Sequence, residues 1–135
     1  MHKLLVVSDE DDQRNDIVRA AIKAGYEKEV IVPPETWEDA LRELSESRSF
    51  GVAVIDINLW GKSERGVDYI RQLHVNHPTC IVVALTENRR GDDIGLRAMR
   101  AGALEFVNGE WDFFQGEWPA YLAQKLTLYR KLVES

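Results

Sequence analysis

Short runs of Val, Ile and Leu alternate with longer stretches in helical spacing along the chain. No other feature limits the fold as much. The runs are Lys3 to Val7, Glu29-Val30-Ile31-Val32, Gly51 to Ile55, Cys80 to Leu85, and the shortest, Leu104 to Val107. They are apolar on both faces, which is the pattern of strands buried in a parallel sheet. A strand, a helix and a second parallel strand form a crossover unit. Repeating that unit gives a sheet with helices on both sides.

The intervening stretches supply the helices. Asp11 or Asp12 can cap a first helix that buries Ile17, Ala20, Ala21 and Ala24 and stops at Gly25. Glu35 or Thr36 starts a second after Pro33-Pro34, with Trp37, Ala40, Leu41 and Leu44 on its inner face. Ser63 to His77 forms a third around Val67, Ile70 and Leu73, ended by Pro78. Asp92 or Asp93 opens a fourth with Ile94, Ala98 and Met99 inward, closed by Gly102. Pro119 suits the first turn of a fifth, which carries the stripe Leu122, Leu126, Tyr129 and Val133. The expected fold is α/β: a flavodoxin-like (βα)5 three-layer sandwich on a five-stranded parallel sheet.

Composition narrows the function. The 135 residues suit one domain with a core that needs no staples. Lys and Arg number 17 against 23 Asp and Glu, a net charge of −6, so direct nucleic-acid binding is not expected. The lone Cys80 excludes an internal disulfide and fits a cytoplasmic setting. No apolar run is long enough to cross a membrane, and residues 1–7 lack the features of a signal peptide. Met1 stands directly before the first strand, so we expect the natural start there. The chain closes on the fifth helix with no output domain after it, so we expect either a domain that stands alone or a piece of a longer protein.

In open sheets of this class the site lies beyond the carboxyl ends of the strands, where the strand order reverses. Ser8, Asp9, Glu10, Asp11 and Asp12 follow the first strand. Asp56, Ile57 and Asn58 follow the third, Thr86 the fourth, and Asn108 and Gly109 the fifth. Asp9 and Asp56 would therefore converge from different strands. Their mutual repulsion calls for a hard divalent cation such as Mg²⁺. A carboxylate held beside such a cation is a nucleophile toward phosphorus, and Thr86 can donate a hydrogen bond to a phosphoryl oxygen.

On these residues the chain resembles the receiver domains of two-component response regulators. The resemblance covers about Lys3 to Val133, so positions 1–135 read as one receiver domain. It rests on Leu4-Leu5-Val6-Val7-Ser8-Asp9-Glu10-Asp11-Asp12, Val54-Ile55-Asp56-Ile57-Asn58-Leu59, Val83-Ala84-Leu85-Thr86 and Ala101-Gly102-Ala103-Leu104-Glu105-Phe106-Val107. It implies that Asp56 accepts a phosphoryl group from a histidine kinase or phosphotransfer protein. It implies that Asp9, Asp56 and the backbone carbonyl of Asn58 hold Mg²⁺. Thr86 would contact the phosphoryl group, and Phe106 would be an aromatic switch. Helix four, strand five and helix five would form the output face and a possible homodimer contact. A signalling switch of this kind is not an enzyme.

The chain also departs from the family. Ser8 stands where the first of two adjacent acids is usual. Gly109 and Glu110 stand where lysine and proline are usual, which removes a cation from the phosphoryl site; Lys62, Arg89 and Arg90 lie in loops at the same end. Trp60 replaces a proline, and Gly66 comes about two residues late. Trp111, Phe113, Phe114 and Trp118 make the loop before helix five unusually aromatic.

These departures support an alternative: a phosphorylation-independent pseudo-receiver that serves as an interaction module. A haloacid-dehalogenase-type phosphatase would need a second acid where Asn58 stands. A nucleotide site would need a glycine-rich loop after strand one, and none is there. Asp56 could otherwise cap a turn, Thr86 bond only to backbone, and Phe106 be plain core. His74 and His77 have no third ligand nearby in sequence, and Arg89, Arg90, Arg97 and Arg100 form a basic stretch around helix four.

Overall fold

The computed structural model describes residues 2–46, 50–59, 63–86, 93–108 and 117–134. The strands are β1 (Lys3–Val7), β2 (Ile31–Val32), β3 (Phe50–Asp56), β4 (Ile81–Thr86) and β5 (Glu105–Asn108). The helices are α1 (Asp11–Lys23), α2 (Trp37–Ser45), α3 (Ser63–Asn76), α4 (Ile94–Ala101) and α5 (Trp118–Glu134). All strand pairs are parallel and the sheet order is β2-β1-β3-β4-β5. The order reverses between β1 and β3, so the crevice expected to hold a ligand opens at the carboxyl ends of the central strands.

Strand alternation divides the core into two layers. Leu5, Val7, Ala53, Ile55, Val82 and Ala84 face α2, α3 and α4. Leu4, Val6, Val52, Val54, Val83, Leu85 and Val107 face α1 and α5. Each helix closes its side with the residues expected: Ile17, Ala20 and Ala21 on α1, Val67, Ile70 and Leu73 on α3, and Leu122, Leu126 and Tyr129 on α5 are all buried. This is the flavodoxin-like (βα)5 sandwich.

Several local expectations need correction. The apolar run at residues 29–32 is not strand throughout: Lys28–Val30 form a 3-10 turn and β2 is only two residues long. It pairs with β1 through Leu4↔Ile31 and Leu5↔Val32 alone, because residues 28–30 wind into the 3-10 turn instead of continuing alongside β1. Leu41 is exposed, because it lies one residue and about 100° around the helix from the buried Ala40. Met99 is likewise exposed beside the buried Ala98. Glu10, not Asp11 or Asp12, occupies the cap position of α1, and its side chain makes no cap bond. Thr36 does cap α2, accepting from the Asp39 N–H at 3.1 Å. Asp93 stands at the cap of α4 without a side-chain bond, and Asp92 lies outside the described residues.

Two further contacts fix neighbouring elements to one another. The β5 residue Glu105 accepts hydrogen bonds from the Tyr121 hydroxyl at 2.8 Å and from the Tyr129 hydroxyl, tying β5 to α5. Burial and that bond to Glu105 both hold the Tyr129 hydroxyl well above its usual range. On α3, Gly66 lies directly against the backbone of Asp56 and Ile57 and donates its N–H to the Ile57 carbonyl at 3.1 Å.

Candidate functional site

The site is built where the strands run out. Asp56 is the last residue of β3 and Thr86 the last of β4, each one position further into the sheet than the apolar runs suggest. Both are buried. The ladder continues past Asp56, since Ile57 N–H donates to the Leu85 carbonyl at 3.1 Å. Asp56 is thereby held on a central strand and not on a loop, which suits a reacting group that must keep its place.

Asn58 joins Asp56 to Thr86. Its backbone N–H donates to Asp56 Oδ1 at 3.0 Å, and its side-chain amide donates to Thr86 Oγ1 at 3.3 Å. Alternation puts Asp56 on the α1–α5 side of the sheet, with Val52 and Val54. It puts Thr86 on the other side, with Val82 and Ala84. They meet only at the sheet edge, and Asn58 spans that edge.

The turn after β1 lies at the same end of the sheet. The β1–β3 register ends at Val7↔Ile55, so Ser8 comes abreast of Asp56 and Asp9 follows immediately. Asp9 is half-buried and its Oδ1 is shielded from solvent. Ser8 is fully buried; its hydroxyl donates to Gln13 Oε1 at 2.6 Å. Arg14 donates to the Ser8 carbonyl at 3.0 Å and pairs with Asp11, and its guanidinium lies 3.8 Å from Glu35. Sequence pattern alone does not single out Gln13 and Arg14. Their polar character at positions that α1 turns inward is the one signal that could have found them.

The oxygens that would serve a cation, if it is held as expected, are the carboxylates of Asp9 and Asp56 and the carbonyl of Asn58. All are hard donors, which fits Mg²⁺. Among the described residues, no group of three or more His, Cys, Asp or Glu side chains could hold a metal. Any cation here would therefore draw on two carboxylates and complete its shell with carbonyl and water.

Phe106 is not part of this cluster. It pairs with Ala84, two residues before Thr86, and its half-buried ring lies over Gly95 of α4. Asn108, abreast of Thr86, is buried at the end of β5. Trp60, Lys62, Arg89, Arg90, Gly109, Glu110, Trp111, Phe113 and Phe114 lie outside the described residues. Trp118 is buried in the layer under α1 and α5. His74 is exposed, while His77 packs edge-on against Phe50 at 5.5 Å between ring centroids. Cys80 is buried just before β4, and burial pushes its thiol up to about 12. Among the described residues, no helix is long and apolar enough to cross a membrane.

Comparison with known proteins agrees with this geometry. The sequence pattern of the response regulator receiver domain matches residues 4–113. No curated protein matches the chain. Among solved structures, the chain is similar to the beryllofluoride-activated DrrB receiver domain, with 24% identity and a TM-score of 0.74, over 97% of this chain and 98% of that one. It is similar to a CheY-like receiver domain protein from Methanospirillum hungatei, with 18% identity and a TM-score of 0.71, over 98% of each chain. It is also similar to a response regulator from Burkholderia pseudomallei that carries a phosphorylated aspartic acid, a calcium ion and citrate. That match has 18% identity and a TM-score of 0.69, over 98% of this chain and 74% of that one. At these identities the structures speak for the fold, and the sequence match covers most of the chain. The protein belongs to the receiver domains of two-component response regulators.

Proposed function

We propose that Asp56 accepts a phosphoryl group from a histidine kinase or phosphotransfer protein and that the domain switches a partner-binding face in response. The observation that carries this reading is the link Asp56–Asn58–Thr86 at the sheet edge. It gives one buried carboxylate and one buried hydroxyl a common bridge. Asp56 attacks phosphorus through a carboxylate oxygen, the bond from phosphorus to the donor breaks, and an acyl phosphate forms. Thr86 exchanges its bond from Asn58 for one that it donates to a phosphoryl oxygen. Asp9, Asp56 and the Asn58 carbonyl would hold Mg²⁺, which would supply positive charge against the phosphoryl oxygens. The phosphorylated aspartic acid and calcium ion of the Burkholderia pseudomallei regulator support this assignment.

The switch runs through β5. Thr86 is abreast of Asn108, and Phe106 lies two residues before it, on the same side of the strand. Movement of Thr86 toward a phosphoryl group opens space into which the Phe106 ring turns from its place over Gly95. The face made by α4, β5 and α5 carries the signal to an effector or to a second copy in a homodimer. Leu96, Met99 and Leu104 on that face are exposed. The setting is cytoplasmic, and the domain signals without turning over a substrate of its own.

A second reading is a phosphorylation-independent interaction module. Its support is the neutral Ser8–Gln13 bond where an acid is usual, together with Gly109 in place of the lysine. Incubation with acetyl phosphate and Mg²⁺, followed by intact mass, separates the two. We expect one phosphate adduct in the wild type and none in Asp56→Asn. No adduct in either establishes the module.

A further inference from the structure

Ser8 does not simply lack a charge; it is bound into something else. Its hydroxyl donates to Gln13 Oε1 at 2.6 Å and accepts from the Glu10 N–H at 3.4 Å. Both partners of the shorter bond are buried, Ser8 completely and Gln13 at 4% exposure. Buried neutral groups that satisfy one another hold their orientation. Ser8 also lies abreast of Asp56, roughly one strand spacing or ~4.8 Å away, on the same side of the sheet. On the β1 side, the residue abreast of the buried Asp56 thus presents a hydroxyl turned toward an amide on α1.

We propose that the Ser8–Gln13 pair limits the site to two carboxylates, so that a divalent cation binds weakly alone and tightly only together with a phosphoryl group. The proposal rests on the phosphoacceptor reading of Asp56. Hard cations are held in proportion to the anionic oxygens around them. With two carboxylates instead of three, the missing negative charge arrives with the phosphoryl oxygens. Cation and phosphoryl group then raise each other's affinity by the same factor. Gln13 acts as a positioning residue. Its Oε1 accepts the hydrogen bond from the Ser8 hydroxyl and keeps that hydroxyl turned to α1.

The test is a Mg²⁺ titration of the full chain, followed by amide NMR shifts, with and without beryllofluoride. Wild type, S8D and Q13E are compared, and thermal unfolding shows that each is folded. S8D places a charge abreast of Asp56, where the Gln13 amide can turn to donate to it. Q13E supplies the charge from α1 and keeps an acceptor for Ser8, so it stands in if S8D does not fold. One added carboxylate facing a divalent cation at ~4 Å, fully screened, tightens binding about thirtyfold.

We expect wild type to gain at least about tenfold in Mg²⁺ affinity when beryllofluoride is added. We expect S8D, and more weakly Q13E, to bind Mg²⁺ tighter without beryllofluoride and to gain less from it. If wild type binds Mg²⁺ alone as tightly as the folded variants, or shows no gain where they do, the pair does not set the charge and the proposal is overturned. If none of the proteins responds to beryllofluoride, the phosphoacceptor reading falls and takes the proposal with it.

Discussion

Replacing Gly66 by alanine sets two effects against each other. Inside a helix the change is normally favourable by about 1 kcal/mol, because alanine has less conformational freedom to lose. At Gly66 the added methyl group would stand 2.3 Å from the Ile57 carbonyl oxygen, 2.4 Å from Ile57 Cα and 2.6 Å from the Asp56 carbonyl oxygen. All three are backbone atoms, so no side chain can turn aside. Ordinary contact begins at 3.4 Å, so α3 and the end of β3 must separate by about 1 Å. The helix is not free to move, since the Arg65 guanidinium lies 4.6 Å above the Trp37 ring and Tyr69 donates to the Ala40 carbonyl at 2.7 Å. Overpacking of this kind costs about 3 kcal/mol, and loss of the Gly66 N–H bond about 1 more. After the helix preference is set against these, the net loss is about 3 kcal/mol. With an unfolding entropy of ~2.1 cal/mol/K per residue over 135 residues, the midpoint falls by about 10 °C. Differential scanning calorimetry measures this directly. A Gly66→Ala protein that melts at or above the wild-type temperature refutes the contact argument.

Gly95→Ala also brings a methyl group too close, 2.5 Å from Phe106 Cδ2, but the three atoms nearest to it all belong to one half-buried ring. We expect a stability loss below about 1 kcal/mol, read by denaturant unfolding, and a displaced Phe106 ring in aromatic NMR spectra. A loss as large as that of Gly66→Ala would mean that the ring is locked. The Cys80 thiol, raised by burial from 9.0 to about 12, keeps its proton in the folded chain while the unfolded chain gives its proton up. Its contribution is fully present below pH 9 and is lost as pH rises toward 12, by at most about 1.4 kcal/mol per unit. Between pH 9 and 10 the tyrosines contribute alike to both proteins, so Cys80→Ala should show a flatter denaturant midpoint than wild type. Parallel slopes would show that the thiol ionises alike in both states.

The legible parts of the fold are those set by one-dimensional pattern. β1 begins and ends where its apolar run does, because nothing polar interrupts Leu4 to Val7. β3, β4 and β5 each extend one residue further, since Asp56, Thr86 and Asn108 keep strand geometry despite their polar side chains. β2 is shorter than its apolar run because residues 28–30 wind into a 3-10 turn, which hydrophobicity alone does not reveal. Leu41 and Met99 face solvent because residue type does not decide side when neighbouring positions already fill the face.

The candidate site divides in the same way. Asp56, Asn58 and Thr86 can be read from their places after apolar runs, and the structure brings those three together. The Ser8–Gln13 bond crosses from a strand to a helix over a turn, and no periodicity carries it. The departure at Gly66 is visible as a late glycine, but its reason, a backbone against a backbone, appears only in three dimensions. Glu105 reads as an unremarkable polar residue in a short strand. Its two tyrosine partners lie 16 and 24 positions away on α5.

The brevity of β2 has a consequence for how the chain behaves in a crowded solution. The outer border of the sheet on that side is two residues long and passes at once into a 3-10 turn. A foreign segment laid against it would find few rungs to grip, so this border is a poor template for strand addition between molecules. Self-association that zips sheet to sheet is thereby discouraged along one margin. Along that margin, side chains and not bare peptide groups decide which surfaces meet.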